Sequence, residues 1–277
     1  MREVDQALAH AYGSSAQTED PTRHAPPGPH WPSRSRQPSS SIDPVSPRPT
    51  PPHTRPSPAW SAPDSSGSIA PLEWPPLVMT LERAWGDRFE RMATGLLETQ
   101  RTQNVKVVLF TSCHRAEGRT TLLLTLARAL ARKPHRLLLV DADLSGPMLG
   151  RLLRLEPSVG LDDVVDRGIS LADAVIDCPD DNLAILPLKA AVGRPRDFLA
   201  SPTWTLTMAR LRREYDLILL DGGPLFTGLS AAVLHRSVDA AILVQHRDLT
   251  TERSIVRARE VLEAGGVPLL GLAETFA

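Results

Sequence analysis

From residue 105 onward, short runs of Val, Ile and Leu alternate with stretches of helical period. That alternation limits the fold more than any other feature of the chain. Apolar runs without a polar face suit strands that are covered on both sides. They fall at 105–111, 136–142, 183–188, 216–221, 240–246 and 269–273. Between them the spacing predicts helices over 120–132, 147–155, 161–166, 171–177, 202–215, 229–237 and 251–264. A longer helix is expected over 79–101, with Leu81, Trp85, Phe89, Met92, Leu96 and Leu97 on one face. Strand–helix alternation needs crossover connections, so the fold class is α/β, a mostly parallel sheet flanked by helices. Ligands of such sheets belong at the carboxyl ends of the strands.

Composition divides the chain in two. Of its 26 prolines, 17 lie between Pro21 and Pro76, in a stretch also rich in Ser, Arg and His and poor in large apolar residues. Such a segment buries too little surface to offset the entropy of ordering it. Residues 1–77 are therefore expected to be a disordered Pro/Ser-rich segment, and 78–277 one domain. Within the segment, Val4, Ala7, Leu8 and Ala11 fit one short amphipathic helix over 2–12, either a frayed tail or a docking peptide. The net charge of −1 gives no basic footprint for nucleic acid. Apolar runs such as 137–140 and 217–220 are too short to span a bilayer, and the first residues lack the apolar centre of a secretory leader. Cys113 and Cys178 are the only cysteines, too few for a disulfide framework or a cysteine metal site. A cytoplasmic location is the simple expectation.

Three strand ends carry chemistry. The first runs through VVLFTSCHRAEGRTT, a strand, a loop and a helix opening at Gly118-Arg119-Thr120-Thr121. This is the context of a phosphate loop, whose backbone N–H groups cradle phosphate oxygens. Glu117, Gly118, Arg119, Thr120 and Thr121 are the candidate nucleotide-binding residues, and the Thr120 hydroxyl stands where Mg²⁺ is ligated. The second, RLLLVDADLSGP, ends in Asp141 and Asp143, two acids on one side of an extended strand end. The third, YDLILLDGGP, ends in Asp221, in the manner of a Walker B acid. Each alone has a plain alternative: an ordinary strand–helix turn, a pair of solvated aspartates, a strand that happens to end in an acid. Together and in order they point to a P-loop nucleoside-triphosphate site.

With those residues in view, the chain resembles the bacterial tyrosine kinases of exopolysaccharide and capsule assembly, within the partition-type (ParA/MinD-like) P-loop ATPases. Thr111 to Thr121 fit the frame of that family's phosphate loop, and Val140 to Pro147 its D-A-D-L motif. Gly160 to Val165, Ser170 to Val175, Leu186-Pro187, Pro195 to Pro202, Tyr215 to Pro224 and Val238 to Val244 follow its later segments. The resemblance spans about residues 80–273. It implies ATP and Mg²⁺ as cofactors, with the metal at Thr120, Asp143 and Asp221. It implies catalytic roles for Asp141, near the attacking oxygen, and Arg119. It also implies a partner, a membrane-bound polysaccharide co-polymerase that controls chain length. Peripheral placement at the inner face of the plasma membrane would come through that partner.

The departures bear on activity. Arg119 stands where the family has lysine, and a planar fork does not replace a compact point charge. Ala116 stands where glycine is usual, so a positive φ there would cost on the order of 1 kcal/mol. Gly222-Gly223 replace a Thr-Pro pair, which is expected to loosen the turn behind the metal site. Tyrosine occurs only at Tyr12 and Tyr215, so no tyrosine cluster offers itself for autophosphorylation. The family's ring-forming helix keeps neither signature arginine, Glu90 and Ala93 taking their places, which argues against the usual ring while leaving a homo-oligomer open. The leading expectation is an ATP-binding protein with weak or altered phosphotransfer or ATPase activity. The alternative is an inactive pseudokinase that docks on the export machinery. A partition ATPase is a third reading, disfavoured because His114 stands where those proteins carry an extra lysine.

Overall fold

The computed structural model describes residues 71–227 and 237–275. The proline-rich stretch up to residue 70, the amphipathic helix expected over 2–12 and most of the helix expected over 229–237 lie outside the described residues.

A long helix, α1 (Pro76–Gln103), opens the described chain. Ahead of it, the Leu72 amide and Trp74 Nε1 donate to the Asp181 carboxylate at 3.1 and 2.7 Å. Proline at the first position of α1 presets helical φ. There follow β1 (Val107–Ser112), α2 (Arg119–Ala131), β2 (Leu137–Ala142), and the short helices α3 (Leu149–Leu152), α4 (Leu161–Arg167) and α5 (Leu171–Ala174). Then come β3 (Ile176–Cys178), β4 (Leu183–Leu186), α6 (Pro195–Ala200), α7 (Pro202–Glu214), β5 (Leu217–Pro224), β6 (Ala240–His246), α8 (Glu252–Ala264) and β7 (Leu269–Thr275). The α7 start is fixed by Pro202 and by Ser201, whose hydroxyl accepts from the Trp204 amide at 3.1 Å. Thr251 caps α8 in the same way, through the Ser254 amide.

The strands form one seven-stranded sheet in the order β3-β4-β2-β5-β1-β6-β7. Each pairing is parallel except β3 with β4. The α/β expectation therefore holds, with one antiparallel edge added. Alternate residues of β1 feed two cores. Val107 and Leu109 join one layer with Trp204, Met208 and Leu211 of α7 and Ala258 and Leu262 of α8. Val108 and Phe110 join the other, with Phe89 and Leu96 of α1 and Leu123, Leu126 and Leu130 of α2. Burial on both faces explains the unbroken apolar runs.

Two expectations need correction. The helix expected over 171–177 stops at Ala174 and gives way to β3. On α1, Trp85 turns outward, because the backbone leaves helical geometry there (φ −133°, ψ 18°) and the Arg88 guanidinium covers its ring at 4.1 Å. Val78 and Ala93 are buried on that helix instead.

Candidate functional site

Strands β2, β5 and β1 lie side by side, so their carboxyl ends deliver three loaded segments to one place. Asp141 and Asp221 are direct register partners, and Phe110 is paired with Asp221 on the other side. The pair Gly222-Gly223 does not loosen this end. It continues β5, buried, and the Thr111 hydroxyl donates to the Gly223 carbonyl at 2.9 Å. A Cβ on Gly222 would lie 2.4 Å from Leu109 Cδ1 and 3.1 Å from the Phe110 carbonyl oxygen, so the close approach of β1 explains glycine at this position.

The phosphate loop then crosses from β1 to α2. Gly118 has φ +79° and precedes the first helical residue. Ala116 adopts φ +63°, the conformation whose cost its missing glycine implied. The first helical ladder bond runs from the Leu122 amide to the Gly118 carbonyl at 2.9 Å. The amides of Arg119, Thr120 and Thr121 precede it and are the orphan donors of a helix start. Glu117 points away from that opening. Its carboxylate accepts from the His114 amide at 2.9 Å and from the Thr250 hydroxyl, and its carbonyl accepts from the Thr275 hydroxyl at 2.7 Å. Glu117 is thus a brace that ties the loop to the far ends of β6 and β7.

Arg119 is the centre of the site. The residue is 8% exposed and its guanidinium makes three directed bonds. Nε donates to Asp221 Oδ1 at 2.8 Å, Nη1 to Ser112 Oγ at 3.1 Å, and Nη2 to Asp143 Oδ2 at 3.1 Å. The Thr120 hydroxyl donates to the second oxygen of Asp221 at 2.7 Å. Burial alone would lower the Arg119 pKa, but Asp221 and Asp143 lift it above its ordinary value, so the group stays charged. Arg115, its side chain half exposed, adds a looser contact to Asp143 at 3.5 Å and donates to Ser145 Oγ at 2.8 Å.

Asp141 is brought to the site but does not meet Arg119. Its Oδ2 accepts from the Met148 and Leu149 amides at 3.0 and 2.9 Å, and its Oδ1 from the Asp143 amide at 3.2 Å. Burial, then the neighbouring Asp221 charge, push its carboxyl up to about 7 against the pull of those amides. The native chain therefore holds a proton that the unfolded chain releases near pH 4. Stability from this group is greatest at low pH and falls as pH rises toward 7. Between pH 5 and pH 7 the loss should be about 2 kcal/mol, and Asp141→Asn should flatten the slope. Urea unfolding at several pH values measures it; parallel slopes for the two proteins would remove the claim.

Gly118, Thr120, Asp143 and Asp221 thus converge, with Asp141 behind them in the register of β5. Ser112, Ser145, Thr250 and Thr275 also take part, and the strand–helix pattern gave no sign of them. Cys113 is buried, and burial followed by the Glu117 charge pushes its thiol up to about 11, so it is no reactive thiolate. The ring of His114 packs edge-on against Phe226 at 5.5 Å.

The Thr120 hydroxyl and two carboxylates are the hard oxygen donors that Mg²⁺ prefers. They do not fit a divalent ion as arranged. The guanidinium stands between the acids, and the hydroxyl is spent on Asp221. Among the described residues no three His, Cys, Asp or Glu side chains group as a metal site, and no helix is long and apolar enough to cross a membrane.

No protein-family model matches the chain. It is 28% identical over 169 residues to Tyrosine-protein kinase CpsD of Streptococcus pneumoniae, covering 61% of this chain and 74% of that protein. It is 27% identical over 186 residues to Tyrosine-protein kinase YwqD of Bacillus subtilis, covering 67% and 78%. Among solved structures, the BceF tyrosine kinase domain superposes with a TM-score of 0.63 at 25% identity, over 70% of this chain and 80% of that one. The septum site-determining protein MinD of Pyrococcus horikoshii, complexed with Mg-ADP, gives 0.50 at 26% identity, over 60% and 68%. The homologues are bacterial tyrosine-protein kinases, with MinD-like ATPases as further neighbours.

Proposed function

We propose that this homologue of the bacterial tyrosine kinases binds ATP or ADP at the Gly118–Thr121 helix start and serves polysaccharide synthesis or export as a nucleotide-responsive module. The single observation that carries the reading is the convergence of that helix start with Asp143 and Asp221 at the ends of three adjacent strands. Orphan amides at a helix start, opened by a glycine at positive φ, suit phosphate oxygens. The resemblance supplies the expected partner, a membrane-bound polysaccharide co-polymerase, and a peripheral place at the membrane through it.

One observation favours a binding role over rapid phosphotransfer. Arg119, where a kinase would aim a cation at the transferring phosphate, is spent on three acceptors of its own chain. Tyr215 is also a poor acceptor of phosphate. It packs against the core, and burial together with Asp177 and Glu214 pushes its hydroxyl up to about 12.

Calorimetric titration with ADP and ATP tests the reading. Thr121→Glu is the informative variant, because an acid in the first turn suits the helix dipole yet repels phosphate. A single saturable site is expected in the wild type, weakened about a hundredfold or more in Thr121→Glu with thermal stability retained. Absence of saturation up to about 1 mM nucleotide, or equal binding by the variant, would overturn the assignment.

A further inference from the structure

We propose that the guanidinium of Arg119 is the resident cation of this site: it holds Asp143 and Asp221 in place of a divalent metal, so that nucleotide polyphosphate binds without help from Mg²⁺. The proposal deepens the nucleotide-binding reading and rests on it in one arm of the test only.

The geometry carries it. The two acids are buried, Asp221 on β5 and Asp143 just past the end of the neighbouring β2, and their mutual repulsion needs a positive charge between them. In this chain that charge is covalently attached, one residue past the helix-opening Gly118. A guanidinium is planar and offers its N–H groups in a fixed fork, so one side chain reaches an acid on β5, an acid past β2 and the Ser112 hydroxyl at the end of β1 together. Ser112 is itself oriented for the role, since its hydroxyl donates to the His114 carbonyl at 2.8 Å and so turns lone pairs toward Nη1. A lysine at the same place has a single ammonium on a flexible stem and cannot span these acceptors in that fork.

A divalent ion would have to shed tightly held water and also displace this three-bonded arginine. A second cation can still turn to phosphate: Arg115, whose side chain is 50% exposed on the loop and only loosely in contact with Asp143, supported by the helix-start amides. The substrate class is therefore an uncomplexed nucleoside di- or triphosphate, and Arg119 determines its independence of metal.

The test compares ADP affinity in excess EDTA with that in excess MgCl₂, for the full chain and for Arg119→Lys. Wild-type affinities should agree within about twofold, while Arg119→Lys should bind at least about tenfold more tightly with Mg²⁺ than without. A wild-type gain of about tenfold or more with Mg²⁺, or a lysine variant as indifferent as the parent, would overturn the proposal. A second arm uses no nucleotide. Mn²⁺ titration followed by electron paramagnetic resonance should show no site in the wild type and one in Arg119→Lys or Arg119→Ala. Mn²⁺ binding by the wild type, or by none of the three proteins when the variants keep the parent's circular dichroism, would overturn it. Should the wild type bind no ADP at all, the nucleotide-binding reading fails, and the Mn²⁺ arm still decides the role of Arg119.

Discussion

Replacing Asp221 with alanine should destabilise the chain by about 3 kcal/mol, the lower end of the cost of breaking a buried ion pair, since Arg119 keeps Asp143. Asp221 is fully buried, its two oxygens accept from Arg119 and Thr120, and it lies in the middle of the sheet. Its removal strands both donors at once. Urea unfolding at pH 7.5 should show the loss as a lower midpoint with an unchanged slope. The identity of the mechanism lies in the rescue: adding Arg119→Met and Asp143→Asn to Asp221→Ala should recover about half of the loss or more, because neutral replacement of all three groups leaves no buried charge without a partner. The same variant should lower the pH at which Asp141 titrates, since one of the charges that raises it is gone. A loss below about 1 kcal/mol, or a triple variant weaker than Asp221→Ala alone, would mean that Arg119 is not held by this acid.

Trp204→Ala should cost a similar amount, about 3–5 kcal/mol, through a different cause. Trp204 is 1% exposed, the largest of the fully buried side chains, and its Nε1 donates to the Ser237 hydroxyl at 2.8 Å. Its ring leans against Phe198 at 5.9 Å, which joins α6 to α7. Truncation leaves a cavity and an unpaired hydroxyl, whereas Trp204→Phe keeps most of the ring and should lose only about 1–2 kcal/mol. Thermal and urea denaturation separate the two variants. Equal stability of alanine and phenylalanine would show that the layer closes over the gap.

Regular parts of this architecture could be read from residue order because burial on both sheet faces writes itself as unbroken apolar runs. Ala240–His246 is such a run, and its ends agree with the sheet. Ile176–Cys178 could not be found in that way: three residues with one acid among them carry no period, and the pattern of the preceding helix ran over them. The α6 helix, Pro195–Ala200, is one turn and a half, too short for a periodic signal. In the site, Gly118, Thr120, Asp143 and Asp221 were legible as types at strand ends. The partners of Arg119 were not. A sequence shows that a cation is present, but which oxygens it reaches depends on the order of strands, and β5 falls between β2 and β1 only after the fold is made. Thr275 is a sharper case, since it touches Glu117 across 158 positions of chain.

That strand order also decides what is free to move. Asp221 stands on the innermost of three paired strands, so shifting it would tear two ladders of backbone bonds. Arg119 is held nearly as firmly, by three bonds to its own chain, whereas Arg115 hangs half exposed from the loop by a chain of single bonds. When a ligand arrives, the floor of the site stays still and the Arg115 arm swings, a rearrangement on the nanosecond scale of side-chain rotation rather than the slower scale of domains. Occupancy of this site should therefore be announced by the posture of that one loop arginine, while the scaffold beneath keeps its shape.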